Sequence, residues 1–324
     1  MYTLLEAQNL VEKHIQNLSI PETPPELYEP VKYILSMGGK RIRPALVIMA
    51  CDLFAGAVET AVLPAMAIEV FHNFTLLHDD IMDRSEMRRG KATVHVKYDE
   101  NVAILSGDVM SILASRLMNQ APGVVLNVVH DVFTLTAMQV CEGQQMDMNF
   151  EDLITVSEED YLTMIELKTA VLIAASLKIG AILGGASQRD SEDLYEFGRN
   201  LGLAFQLQDD LLDTYGDPAL TGKKQGTDIL DNKKTYLVIE AMEHASPAQK
   251  EELMSWFKKI ESDPREKISA VTALFDALNI KEVTEKRIKD YYEQALSNLK
   301  KLNRPEERKT ELYNFANFLM NRNR

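Results

Sequence analysis

Apolar residues recur along this chain at steps of three and four positions, which is the spacing of one face of an α-helix. Between residues 58 and 82 the apolar stripe runs through Leu63, Met66, Val70 and Leu77. The same spacing predicts further helices over Val102–Met118, Val124–Met148, Tyr161–Leu183, Leu194–Leu212, Lys234–Ala245 and Lys281–Leu299. Alternation of apolar and polar residues, the pattern of a half-buried β-strand, is hard to find. The chain is therefore predicted to be all-α.

Short segments rich in glycine and proline separate the predicted helices, for example near Pro21, Gly38 and Gly216. No long linker, low-complexity tract or fixed-period repeat divides the sequence. The predicted helix over residues 170–186 is apolar on more than one face, which is typical of helices at the centre of a large bundle. Residues 1–324 are accordingly predicted to form a single helical domain.

The formal net charge of −14 argues against a nucleic-acid partner, because phosphate backbones are bound by basic faces. The two cysteines, Cys51 and Cys141, are too few for a disulfide framework and indicate a reducing compartment. The N-terminal segment lacks the basic start and apolar core of a signal peptide. No stretch approaches the roughly 18 uncharged apolar residues of a membrane span. We therefore expect a cytoplasmic protein without a membrane span.

Two aspartate-rich motifs stand out within the apolar helical stretches. They are LLHDDIMD, with Asp79, Asp80 and Asp83, and LQDDLLD, with Asp209, Asp210 and Asp213. In each motif the first and last carboxylates lie one helical turn apart on the same face, where they repel one another. A hard cation removes this repulsion, and Mg²⁺ prefers carboxylate oxygens together with water and substrate phosphates. A solvated helix face is the alternative, but two copies in one chain favour metal binding.

Cations occur around both motifs, and several of them lie beside glycines. They are Lys40, Arg41 and Arg43 in GGKRIRP, Arg88 and Arg89 in RSEMRRGK, Lys168 in ELKTA, and Lys223, Lys224, Lys233 and Lys234 in TGKKQGTDILDNKK. A glycine pair exposes backbone N–H groups, and the guanidinium fork of arginine matches phosphate oxygens. The segment GGKRIRP is not a Walker loop, since Ser or Thr does not follow its lysine. Each cation alone is typical of a surface residue, whereas the combination indicates phosphate binding.

The ordered set of motifs resembles the all-α trans-prenyl diphosphate synthases over nearly the whole chain. The motifs are GGKRIRP, EVFHNFTLLHDDIMDRSEMRRG, NVAILSGD, EGQQMD, ELKTA, FQLQDDLLD and GKKQGTD. The resemblance implies the isoprenoid synthase fold, a single large helical bundle with a central substrate cavity. It implies condensation of isopentenyl diphosphate with an allylic diphosphate (dimethylallyl, geranyl or farnesyl) to a product of fifteen to twenty carbons. It also implies a homodimer.

The same resemblance implies the roles of the individual residues. Three Mg²⁺ ions would be held by Asp79, Asp83 and Asp209, with Asp80, Asp210 and Asp213 in support. The allylic diphosphate would be held by Arg88, Lys168, Lys223 and Lys233, and the forming carbocation would lie near Thr169 and Gln206. Isopentenyl diphosphate would be held by Lys40, Arg43, His72 and Arg89. The chain departs from the common KxTxP pattern of the family, since it reads KKTYL from Lys233.

A stripe of side chains leads along the predicted helix to Asp79. It consists of Phe71, Phe74, Thr75 and His78, at the spacing of one helix face. A plain core stripe is one interpretation, and the wall of an apolar tunnel for the growing chain is the other. In the family, the position five residues before the first aspartate often blocks that tunnel. Here that position is Phe74, which predicts a short product.

Three other classes of protein share part of these features. A class I terpene synthase would ordinarily replace the second aspartate motif by an Asn-Ser-Glu triad. A metal phosphohydrolase of the HD type could use His72 and the pair His78–Asp79, but would leave the second motif unexplained. A non-catalytic synthase subunit tends to lose one aspartate motif. Because both motifs are present, a catalytic prenyl synthase is favoured.

Overall fold

Amphipathic helices dominate the computed structural model, which describes residues 1–217, 225–259 and 263–321. Up to residue 118 the helices are α1 (Leu4–Gln16), α2 (Pro25–Ser36), α3 (Ile42–Leu53), α4 (Glu59–Met82), α5 (Val94–Lys97) and α6 (Glu100–Met118). Then follow α7 (Leu126–Asp152), α8 (Glu158–Ile165), a π-helical turn (Glu166–Ala170), α9 (Val171–Leu183) and α10 (Gln188–Tyr215). The remaining described helices are α11 (Thr227–Leu230), α12 (Tyr236–His244), α13 (Pro247–Lys258), α14 (Pro264–Ala277), α15 (Ile280–Lys301) and α16 (Glu306–Met320). The predicted all-α class is confirmed.

A two-stranded hairpin, β1 (Met87–Arg88) and β2 (Lys91–Ala92), is the one sheet of the described residues. Its two turn residues, Arg89 and Gly90, have φ angles of 52° and 74°. Two successive positive φ angles are typical of a type I′ turn, whose twist matches that of a hairpin. The sequence analysis did not predict this hairpin, because strands of two residues carry no periodic pattern.

The chain divides into two compact units, each built from three segments. The first unit comprises Met1–Leu135, Ala175–Tyr195 and Leu302–Leu312; the second comprises Thr136–Ala174, Glu196–Lys301 and Tyr313–Arg324. The prediction of a single domain remains a prediction.

The core of the first unit is formed around α3, whose side chains from Ala45 to Cys51 are fully buried. Such all-round burial is typical of a central helix. The second unit has its own core, in which residues from α10, α12 and α14 pack together. Its large members include Leu207, Leu237 and Phe275. Each unit therefore positions its functional side chains on helices with well-buried faces.

The prediction of one continuous helix over Tyr161–Leu183 is wrong, because a π-helical turn separates α8 from α9. Gly143 of α7 lies against this turn. A Cβ atom at residue 143 would come within 2.3 Å of the Lys168 backbone nitrogen. The two backbones therefore approach more closely than side chains would allow, and this contact has no periodic signal in the sequence.

Two helices, α4 and α6, are long and apolar enough to cross a membrane by length and composition alone. The most apolar windows of these helices are 67% and 39% buried within the protein, respectively. Core helices of soluble proteins meet the same criteria, so the expected absence of a membrane span remains a prediction.

Close helix packing in the first unit depends on Gly180 of α9, where an added Cβ atom would lie 2.2 Å from the carbonyl oxygen of Val47 on α3. We predict that Gly180→Ala lowers the free energy of unfolding by about 1–3 kcal/mol, because two helices must separate. Gly123→Ala is the matched control, since nothing lies within 4 Å of its Cβ position. Denaturant unfolding gives the free energy of unfolding of both variants. Equal losses in the two variants would contradict the importance of close packing at Gly180.

Candidate active site

The first aspartate motif lies at the C-terminal end of α4, which stops at Met82 and has Asp83 as its C-cap. The backbone N–H of Asp83 donates to the carbonyl oxygen of Asp79 at 2.8 Å, so the two residues flank the last turn. Unpaired carbonyl groups give a helix C-terminus a partial negative charge, which favours a cation. Both the carboxylates and the helix end therefore favour a cation here.

Asp80 of this motif is buried, with 2% of its surface exposed. Its Oδ2 atom accepts a hydrogen bond of 2.7 Å from Nε of Arg88, whereas its Oδ1 atom is buried without a hydrogen-bond partner. A buried carboxylate oxygen without a partner is costly, and a bound cation would remove that cost. The contact also shows that Arg88 orients the motif, in addition to the diphosphate contact predicted for it.

The hairpin brings Arg89 to the glycine pair of GGKRIRP. Nη1 of Arg89 donates to the carbonyl oxygen of Gly38. A Cβ atom at residue 39 would lie 2.8 Å from this guanidinium group, and Gly39 has a φ angle of 144°. Only glycine combines this φ angle with this close approach. Two of the predicted phosphate-binding segments, residues 38–43 and 88–90, are therefore adjacent in the first unit.

His72 of α4 accepts a hydrogen bond from Arg43, with 3.2 Å between its Nε2 atom and Nη1 of the arginine. Burial, and then the charges of Arg43, Arg89 and Arg88, hold the pKa of His72 well below its usual range. The imidazole is therefore neutral, with its proton on Nδ1 when Nε2 accepts. Burial also lowers the pKa of Arg43 to about 10, against the opposing effect of the Glu69 carboxylate. Arg43 thus stays charged at neutral pH.

The second aspartate motif lies on α10 in the second unit. Asp210 is buried and accepts hydrogen bonds from the Tyr161 hydroxyl, from Nε2 of Gln206 at 3.3 Å and from the backbone N–H of Tyr236 at 3.4 Å. Burial is the largest influence on this carboxyl group and raises its pKa to about 7. These donors fix the orientation of Asp210 on the helix that carries Asp209.

Asp213 serves a different purpose at the end of the motif. Its carboxylate accepts hydrogen bonds from the Thr227 hydroxyl and, at 3.0 Å, from the backbone N–H of Asp228. Its carbonyl oxygen accepts from the backbone N–H of Gly226 at 2.7 Å. Asp213 therefore anchors the start of α11 to α10. The supporting role at the metal site that was predicted for this residue stays a prediction.

The π-helical turn carries Lys168 and Thr169. Nζ of Lys168 lies 2.5 Å from Oδ2 of Asp147, and the Thr169 hydroxyl donates to Oε1 of Gln206 at 3.3 Å. Since Gln206 in turn donates to Asp210, a polar chain connects the π-helical turn to the second aspartate motif. Short π-helical segments inside longer helices occur frequently at functional sites. Within the second unit, the structure thus connects the predicted site residues Thr169, Gln206 and Asp210.

Lys233 follows α11, with 58% of its side chain exposed and its Nζ atom 3.8 Å from Oδ1 of Asp228. The neighbouring Lys234 donates to the carbonyl oxygen of Glu151 at 3.2 Å. Lys223, which was predicted to bind the allylic diphosphate, lies outside the described residues.

Several residues at the site were not assigned from the sequence. Asp147, the partner of Lys168, ends the motif EGQQMD and lies one helical turn after Gly143, which offered a signal. Tyr161 and Tyr236, which hold Asp210, lie in segments that read only as apolar helix faces. Their importance comes from contacts between distant parts of the chain, which spacing along one helix does not reveal.

The stripe before Asp79 forms a row of rings in tilted and edge-to-face contact in the first unit. The ring of Phe74 lies 5.5 Å from that of Phe71 and 4.8 Å from that of His78. Phe71 also meets Phe133 of α7 edge-to-face at 5.6 Å. The hydroxyl group of Thr75 donates to the carbonyl oxygen of His72 at 2.9 Å. Aromatic pairs at these distances are favourable beyond their buried area and make the row stiff.

The donor sets fit a magnesium site that substrate completes. Within residues 1–217, 225–259 and 263–321, no three His, Cys, Asp or Glu side chains form a ready-made metal site. Mg²⁺ is usually held through one or two carboxylates, with water and substrate phosphates as its other ligands. The all-oxygen motifs and the unpartnered Oδ1 atom of Asp80 are consistent with this kind of site.

Comparison with known proteins identifies the family. A model of the polyprenyl synthetase family matches residues 24–274. The geranylgeranyl diphosphate synthase of Methanosarcina mazei is 43% identical over 235 residues, which cover 72% of this chain and 72% of that protein. The geranylfarnesyl diphosphate synthase of Natronomonas pharaonis is 36% identical over 256 residues, covering 74% and 75%. A crystal structure of a geranylgeranyl pyrophosphate synthase matches with a TM-score of 0.95 and 42% identity over 100% of both chains.

The chain belongs to the polyprenyl synthetase family, and the resemblance drawn from its motifs is confirmed. It is a trans-prenyl diphosphate synthase, a transferase with the all-α fold of the isoprenoid synthases. The terpene synthase and phosphohydrolase alternatives are thereby set aside.

Proposed function

We propose that the protein condenses isopentenyl diphosphate with an allylic diphosphate and releases a short all-trans prenyl diphosphate of fifteen to twenty carbons. The observation that carries this proposal is the pair of aspartate motifs, each oriented by protein donors, in a chain of the polyprenyl synthetase family. The names of the relatives, geranylgeranyl and geranylfarnesyl diphosphate synthases, support a product near this length. A cytoplasmic location remains a prediction.

The ionisation step requires that negative charge be stabilised on the leaving diphosphate. Mg²⁺, of which we expect three ions bound through Asp79, Asp83 and Asp209, would supply that stabilisation. In the second unit, Lys168 and Lys233 add positive charge for the allylic diphosphate, as would Lys223. As the carbon–oxygen bond breaks, its electron pair leaves with the diphosphate, and an allylic cation remains.

The second half of the reaction forms the new carbon–carbon bond. The double bond of isopentenyl diphosphate attacks the cation, and a proton then passes to an oxygen of the departing diphosphate. The Thr169 hydroxyl and the Gln206 amide, which are joined by a hydrogen bond, would present oxygen atoms near the positive charge. Apolar walls must exclude water, because water would capture the cation.

Isopentenyl diphosphate keeps its own diphosphate, so its site needs charge without a metal. Lys40, Arg43 and Arg89 would supply that charge from the adjacent segments of the first unit. Neutral His72 suits the site, because it orients Arg43 through Nε2 and can donate a hydrogen bond from its Nδ1–H group.

We predict that Asp79→Ala and Asp209→Ala reduce kcat by about a thousandfold or more, because the leaving group would lose a neutralising ion. EDTA should abolish activity, and added Mg²⁺ should restore it. Asp131→Ala is the matched control, because Asp131 is an exposed aspartate of α7 outside both motifs, so kcat and the Mg²⁺ concentration for half-maximal activity should stay nearly constant. Steady-state kinetics across a Mg²⁺ series is the measurement. Near-normal turnover in either alanine variant would refute the metal assignment.

We also propose that Phe74 limits the length of the product. Its ring is held between Phe71 and His78, so a growing chain that meets it would have to displace a stiff row. Phe74→Ala should lengthen the main product by one or more isoprene units, while Thr75→Phe should shorten it. Product chromatography with one primer and excess isopentenyl diphosphate tests both. An unchanged product in Phe74→Ala would place the limit elsewhere.

We further propose that the protein is a homodimer. In the first unit, α6 and α7 lie side by side, with Ser115 Oγ 3.3 Å from His130 Nε2. Large apolar side chains exposed on these two helices include Leu105, Ile112, Val128 and Leu135, and Val124 in the turn before α7 is also exposed. Large apolar side chains exposed on two neighbouring helices are typical of an interface, and a two-fold dimer is the commonest way of covering such side chains.

Ile112→Glu should therefore convert the dimer to a monomer, because it would bury a charge at the interface. Ile154→Glu is the matched control, since Ile154 is also exposed, at 75% compared with 59%, but belongs to the second unit. Sedimentation velocity gives the masses. A wild-type protein with the mass of one chain would refute the dimer, and equal masses for wild type and Ile112→Glu would refute this interface.

A further inference from the structure

Arg41 stands between two residues proposed to bind isopentenyl diphosphate, yet it is turned into the protein. Its side chain is 2% exposed, whereas Lys40 is exposed and Arg43 is half-buried. Its φ angle is 44°, in the left-handed region that side chains other than glycine seldom adopt. A strained backbone at such a position persists only where surrounding contacts determine it. The contacts of Arg41 are therefore informative.

The guanidinium group of Arg41 binds three different helices of the first unit. Nε donates to Glu12 on α1 at 2.8 Å, and Nη1 donates to Glu69 on α4 at 2.5 Å. Nη2 donates to the carbonyl oxygen of Leu35 on α2 at 2.8 Å. Asn73 in turn donates to the carboxylate of Glu69 at 2.9 Å. All three nitrogens of the planar fork are thus engaged, which fixes the residue in one geometry.

Helix α1 holds the same loop at a second point. Nε2 of Gln8 donates to the carbonyl oxygen of Lys40 at 2.5 Å, one residue before the position that Glu12 holds. On the other side, Arg89 donates to the carbonyl oxygen of Gly38. The segment from Gly38 to Arg41 is therefore tied at three points.

A buried ion pair contributes little net stability, since desolvation of the charges offsets much of their attraction. Its effect here is geometric, because it selects one conformation for a loop that contains two glycines. Glu69 also has an electrostatic effect, since its charge raises the pKa of Arg43 and of Arg89 against the lowering caused by burial. The carboxylate that holds Arg41 thus helps to keep its two neighbours charged.

We propose that Arg41 is a positioning residue for isopentenyl diphosphate, and that Glu12 and Gln8 of α1 complete this device by fixing the loop that carries Lys40 and Arg43. This role rests on the proposed function, because it assumes that Lys40 and Arg43 bind that diphosphate. It gives the N-terminal helix a part in substrate affinity, although none of its side chains needs to touch the substrate.

The test compares Glu12→Gln with Glu6→Gln. Both substitutions remove one negative charge from α1, but Glu6 pairs with Thr3 at the helix start, where glutamine can replace it. Glu12→Gln should raise the KM and the calorimetric Kd for isopentenyl diphosphate by about fivefold, since one charge-assisted hydrogen bond is weakened. The kcat and the KM for the allylic diphosphate should stay within about twofold of wild type, as should all constants of Glu6→Gln.

Two further variants extend the test. Gln8→Ala should raise the same KM by about threefold, since it removes one neutral hydrogen bond. Arg41→Lys should raise it more than Glu12→Gln does, because a single ammonium group cannot reach all three partners. If Arg41→Lys fails to fold, the variants at the part-exposed residues Glu12 and Gln8 still decide the matter.

Three results would be decisive against specific parts of this account. An unchanged KM for isopentenyl diphosphate in Glu12→Gln would overturn the positioning role. So would an equal rise for both substrates together with a lower Tm, because that pattern marks a general loss of structure. By contrast, Arg43→Ala with an unchanged KM for isopentenyl diphosphate would overturn the proposed substrate site itself.

Discussion

Repulsion between like charges is the constraint on which the rest of this structure depends. The proposed chemistry requires carboxylates one helical turn apart in each aspartate motif, and arginines packed closely beside the glycine pair. Gathered inside an apolar helical protein, such charges are unfavourable unless each has a counter-charge or a hydrogen-bond donor. The protein meets this constraint locally, with Arg88 on Asp80 and Glu69 on Arg41 in the first unit. In the second unit, Lys168 pairs with Asp147.

Among the described residues, neutral groups bind the charged or titratable side chains that have no partner of opposite charge. Asp210 is held by a phenol, an amide and a backbone N–H, and burial raises its pKa to about 7. His72 meets the arginines as a neutral ring, since burial and their charges hold its pKa low. In both cases the structure reduces charge at the crowded position instead of adding a further ion. The other carboxylates and arginines therefore remain charged and can bind metal and substrate.

The backbone adopts unusual conformations at a few positions near the proposed site. The π-helical turn carries Lys168 and Thr169, and Gly143 allows the close approach of α7 to it. Arg41 and Arg89 have positive φ angles beside the proposed substrate groups. Such conformations are costly and cluster at functional sites, where neighbouring contacts hold them.

These features explain which parts of the structure could be predicted from the sequence. The helices and both aspartate motifs were predictable, because a helix face is encoded by spacing within one short segment. The break at residues 166–170, the anchoring of α11 by Asp213 and the inward turn of Arg41 were not, because each depends on partners distant in the chain. Arg41 is the clearest case, because the motif GGKRIRP contains three cations that the sequence does not distinguish. In the structure, Arg41 binds the carboxylates of Glu12 and Glu69 and holds the loop. Lys40 and Arg43 remain to bind a diphosphate.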